Sequence, residues 1–118
     1  MTPEESLTIA IQASAPLIAV VGTAVYPDFL RQERDLPGIA YLRQDTEYFP
    51  TIHDAGTATR TTFEVYVMAR SRTDSVTIGD LFETAMRTAK HYYSNRRAEF
   101  DGENEIWSTV FTVSVFLS

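Results

Sequence analysis

His53 and Asp54 adjoin in the stretch from Asp45 to Thr59, and an imidazole beside a carboxylate can draw a proton from a nucleophile. Neighbouring side chains in a loop seldom point the same way, and no G-x-S-x-G nucleophile elbow occurs anywhere in the chain. His53 therefore reads as a solvated or interface histidine ahead of a general base. His91 falls where a helix is expected to end, and there it compensates the helix dipole more readily than it binds a metal. GTAT at Gly56 to Thr59 lacks the lysine of a phosphate loop, and neither H-E-x-x-H nor an EF-hand spacing is present. Asp28, Glu33 and Asp35 could hold a cation only if their loop folded back on itself, so a solvated loop is the stronger reading. The sequence assigns no catalytic residue, no cofactor site and no metal site.

Arg96 and Arg97, with Tyr92, Tyr93 and Phe100 close by, are the one local mixture of basic and aromatic residues able to touch nucleic acid. Glu99, Asp101, Glu103 and Glu105 follow at once, which favours a solvated loop or a subunit contact. The whole chain agrees: 10 basic against 16 acidic residues give a net charge of -6, unsuited to gripping phosphate over a wide area. With no cysteine there is no disulfide, thiolate or cysteine-zinc chemistry, which fits assembly in a reducing cytoplasm. Tyr48 and Phe49 are hard to place in a core and suit contact with another chain. Arg43, Tyr48, Phe49, His53 and Arg60 thus form one candidate interface set, with Arg96 and Arg97 a second.

The elements that must position these residues start from Thr61 to Arg70, where Phe63, Val65, Val67 and Ala69 alternate with Glu64, Tyr66 and Met68 in a strand pattern. Trp107 to Leu117 repeats the alternation, with Trp107 expected at the core or its rim, and Gly38 to Gln44 supplies a third strand. Since Tyr66 and Met68 lie opposite the aliphatic set, something should cover part of the second face, whether a helix, a loop or another subunit. Thr2, Pro3 and Glu5 combine an N-cap, a proline at the first helical position and a capping-box carboxylate, so a helix should begin there. Pro16 ends it near Ser14, and a short turn from Pro16 to Val21 closes at Gly22. Val25 to Pro27 is a brief extended piece, Asp28 to Asp35 a charged loop, and Asp45 to Thr59 a long projecting connection. A second helix capped by Asp74 or Ser75 runs to about Lys90 with Ile78, Leu81, Phe82, Ala85 and Ala89 on one face. Gly79 weakens its first turns, which either fray or pack closely. Tyr92 to Glu105 reads as irregular apart from a short strand near Ala98 to Asp101.

The expectation is a single α+β domain over residues 1–118, with a mixed, mostly antiparallel sheet of about four strands and two helices on one face. No apolar run approaches the roughly 20 residues that cross a bilayer, and MTPEES lacks the basic start of a signal peptide.

In that order the pieces resemble the tail-completion or tail-terminator proteins of long-tailed bacteriophages. The likeness rests on APLIAVVG after the first helix, VYPDFLRQ at Val25 to Gln32, PGIAYLRQ at Pro37 to Gln44 and RTTFEVYVMARSRTDS at Arg60 to Ser75 with the helix that follows. It implies a non-enzymatic virion protein of the head-proximal tail, made in the host cytoplasm. Such a protein forms a six-fold ring of identical subunits on the tail tube protein, stops tube growth and meets the head-tail connector. DNA would pass its lumen unbound, and no membrane or cofactor is implied. Another joining protein, such as a head-closure or minor tail component, is the alternative, and a small hydrolase built on His53 stands behind both.

Overall fold

The computed structural model describes residues 2–22, 25–26, 36–50, 57–103 and 105–117. Helix α1, Pro3–Gln12, starts as its sequence dictates: the Thr2 hydroxyl accepts from the Glu5 amide and proline occupies the first turn. Ser14 then caps a second helix, α2, Ala15–Val21, so the expected turn is a full short helix. The two meet at 93°, and among the described residues no single helix is long and apolar enough to cross a membrane. Strands β1, Val25–Tyr26, β2, Gly38–Pro50, and β3, Thr57–Ala69, come next. Helix α3, Arg72–Ala89, precedes β4, Tyr92–Asp101, and β5, Ile106–Leu117.

The sheet order is β1-β2-β3-β5-β4, antiparallel except where β1 runs parallel to β2. The fold is α+β, as the pattern predicts. Strand β3 is central, bonded to β2 from Thr57 to Met68 and to β5 from Thr59 to Ala69. Thirteen-residue strands at about 3.3 Å per residue reach roughly 43 Å, which accounts for most of the 50 Å long axis.

Phe63, Val65, Val67 and Ala69 face the helices and meet Leu7 and Ile11 of α1, Leu17 and Val21 of α2, and Ile78, Phe82 and Met86 of α3 in one core. Met68, Ala40 and Val110, on the far face, are also buried within the single chain. Cover for part of the second face is therefore present without another subunit.

Besides the turn that is helix α2, four expectations are corrected. The connection from Asp45 to Thr59 is largely a paired hairpin, since residues 45–50 and 57–59 belong to β2 and β3. The ladder absorbs them by a bulge between Arg43 and Asp45. The α3 cap is Ser71, whose hydroxyl accepts from the Asp74 amide, three residues before the predicted start at Asp74. Ala89 is exposed while Met86 is buried, because a straight 3.6-residue helix turns its stripe away from the sheet by the last turn. Tyr92 to Asp101 is a full edge strand, broken only by a register shift between Ser94 and Arg97 where Asn95 takes φ 53°. Gly79 packs closely, as one of its two expected fates required: a Cβ there would lie 3.1 Å from Thr109 Cγ2 and 3.2 Å from Arg96 Nη2. The charged loop with Asp28, Glu33 and Asp35 lies outside the described residues.

Phe82 is fully buried with its ring 5.0 Å from that of Phe111. Urea denaturation should show Phe82→Ala losing about 3–5 kcal/mol, while Ile9→Ala, 50% exposed on α1, costs under about 0.5 kcal/mol.

Candidate subunit interface

The candidate arginines are distributed over both faces of the sheet, and each is held by a carboxylate of its own chain. Arg43 projects from the helix face of β2, where its Nε and Nη2 donate to the two Glu4 oxygens of α1 at 2.8 and 2.6 Å. This fork holds the Glu4 carboxyl below its ordinary value and raises the Arg43 guanidinium. Arg60 lies opposite Glu47 across the hairpin and pairs with it, its Nε buried without a hydrogen-bond partner. Arg96, lifted by the register shift in β4, reaches back to α3. Its Nη1 donates to Asp80 at 2.7 Å and Glu83 at 2.9 Å, its Nη2 to the Val76 carbonyl at 3.2 Å, and its guanidinium stands 5.5 Å from the Phe111 ring. Arg97 is on the far face, bonded to Glu99 at 3.0 Å and Glu64 at 3.4 Å. The Glu99 hydrogen bond, above all, raises its guanidinium.

On that far face Glu64 also accepts from the Tyr66 hydroxyl and, at 3.3 Å, from Gln44. Burial, reinforced by the Glu64 carboxylate, pushes the Tyr66 phenol up to about 12. Tyr48 is 71% exposed near the hairpin end, where it pairs with Thr59. Phe49 occupies the next ladder position, opposite Ala58, and His53 falls outside the described residues. The two candidate sets therefore do not converge. Tyr48 and Arg60 share the hairpin but face opposite sides of it, Tyr48 with its partner Thr59 on the helix side and Arg60 with Glu47 on the far side, just as Arg96 and Arg97 point to opposite faces of β4. His91, at the end of α3, has its Nε2 3.4 Å from the Ser6 carbonyl oxygen, and no cluster of three metal-ligating side chains occurs among the described residues.

Two surface features escape the candidate set. Tyr92, 61% exposed, pairs with Ser114, and Phe116, 59% exposed, stands two residues further along the same far face beside Arg60. The sequence carries a trace of this, since Phe116 is the one aromatic in a register that otherwise runs Ile106, Ser108, Val110, Thr112 and Ser114. The second feature is an open groove of about 730 Å³ between α1, the start of α2 and the last turns of α3. Ile9, Ala10, Ala13, Pro16, Ala85 and Ala89 give it an apolar floor and walls. Nothing in the helical periodicity marks it, because its small residues read as the flank of a core stripe.

The described residues define an α+β fold, with three helices on one face of an antiparallel-dominated sheet. No protein-family model and no curated protein matches the sequence. Among solved structures, the chain is similar to one in the virion of a native gene transfer agent particle. The two share 17% identity over 97% of this chain and 94% of that one, at a TM-score of 0.56. The likeness is one of fold.

Two titrations follow. Glu4 is depressed in the folded chain, so its contribution is complete above its ordinary value of 4.5 and disappears as pH falls through the lowered value. Arg43→Ala should cost about 0.2–1 kcal/mol at neutral pH, less in high salt, and nothing once Glu4 is protonated; chemical denaturation across pH reads the difference. Tyr66 is raised, so its contribution is complete below its ordinary 10.0 and is lost as pH rises through about 12. Absorbance titration should resolve a late phenol that Tyr66→Phe removes.

Proposed function

We propose that the chain is a structural protein of a phage-like virion, one domain over residues 1–118, that caps the head-proximal end of the tail tube. As a ring, read as six-fold, it stops polymerisation of the tube protein and offers the head-tail connector its joining surface. The observation that carries this reading is the likeness of fold, nearly end to end in both chains, to a chain of a gene transfer agent virion. The order of sequence pieces shared with tail terminators narrows it from a virion protein to this role.

The geometry supports a subunit with a structural task. Long paired strands give a stiff plate, and the β2–β3 hairpin carries an exposed Tyr48 towards one end of the molecule. A rigid plate with an aromatic at one end suits stacking against the tube or connector protein. Arg43, Arg60, Arg96 and Arg97 are each occupied by a carboxylate, and the net charge is -6, so a lumen lined by such a surface would let DNA slide without binding it. Catalysis and cofactors have no part in this reading.

Electron microscopy of lysates from the parent genome, with this reading frame interrupted by a stop codon, tests it. Unjoined tails of variable, abnormal length beside filled heads are expected. Tails of normal length would overturn the terminator role, and heads that leak their DNA would assign head closure in its place.

A further inference from the structure

A chain with a net charge of -6 repels its own copies, so the place where two copies meet must spare them that repulsion. From Ser6 to Pro27 the sequence holds no charged residue, although charged residues make up 22% of the chain. The structure folds the first part of this run into the rest of α1 and all of α2. On this corner Ile9 is 50% exposed and Val20 is 43% exposed. Ile9 lines the groove described above, whose α3 wall, from Thr84 through Ala85 and Thr88 to Ala89, carries no acidic or basic side chain before the imidazole of His91 completes the lining. The cations nearest in sequence stand outside it: Arg87 is drawn off to the Tyr93 hydroxyl at 2.9 Å, and Lys90 caps the helix beyond Ala89.

We propose that this uncharged corner is the contact between copies of the chain, the groove of one copy seating the α1–α2 corner of the next. The inference rests on the ring reading and deepens it, because it moves the subunit contact from the arginines to the helix face. The charge pattern selects the occupant. A copy of this chain can bring its own uncharged, apolar corner against the groove at no Coulomb cost there, while the rest of its surface stays apart. The candidate arginines cannot play that part without giving up Glu4, Glu47, Asp80 or Glu64.

The two modes respond oppositely to salt. Contact through ion pairs weakens as the screening length falls from about 10 Å at 0.1 M to about 3 Å at 1 M. Contact through an uncharged patch strengthens, because salt removes only the long-range repulsion. Sedimentation equilibrium of the purified chain over that range should show self-association tightening with salt. Ile9→Lys, at a half-exposed position, should weaken it by about tenfold or more with an unchanged urea midpoint, and Tyr48→Lys should leave it unchanged.

Association that weakens with salt, or that survives both Ile9→Lys and Val20→Lys, overturns the proposal, as does a chain that stays monomeric throughout. Failure of the virion reading looks different. Purified particles would then lack the chain, whatever its behaviour in solution. A chain present in particles but monomeric or indifferent to Ile9→Lys would fail this proposal alone.

Discussion

The alternation along β3 governs the molecule. Bonded on both edges, this strand has no freedom to slip, and a shift of one residue would carry Phe63, Val65 and Val67 out of the core and Glu64 into it. Helices α1, α2 and α3 all press on that one set of side chains, so the register decides which helix residues are buried as well. Ser75 and Thr109 illustrate the dependence: their hydroxyls meet at 2.9 Å beneath α3 only because Thr109 shares the face of Val67, its partner in the ladder.

What was legible in the sequence was whatever an apolar pattern had to declare. β3 and β5 bury one face along most of their length, and α3 carries a buried stripe, so each advertised its period. β4 did not, because an edge strand with nearly all its residues exposed has no reason to alternate, and its pairing resides in backbone groups common to every sequence. The hairpin failed for a related reason. Polar residues at Asp45, Thr46 and Glu47 looked like loop, yet each has a partner across the ladder in Thr62, Thr61 and Arg60. Cross-strand pairing of that kind appears only after the strands are brought together.

The candidate interface was less legible than the fold. Charge and aromatic character pointed to exposed side chains, but the sequence could not report that the four arginines had carboxylates waiting on other elements. Glu4 lies far from Arg43 along the chain, and Asp80 and Glu83 are separated from Arg96 by the end of α3. Part of the acidic complement is thus engaged in holding the chain's own basic residues, whereas the helix corner has no charge to neutralise.

The extra residue that β2 carries between Arg43 and Asp45 acts as a phase shifter. Before it, odd-numbered residues of β2 look toward the helices; after it, even-numbered ones do, as the 3.2 Å approach of the Thr46 and Thr61 hydroxyls records. The base of the strand and its tip are therefore set independently. Evolution can reverse the two sides of the tip by losing or gaining one codon at this joint, leaving the core untouched, so the tip can be turned over on an unaltered body.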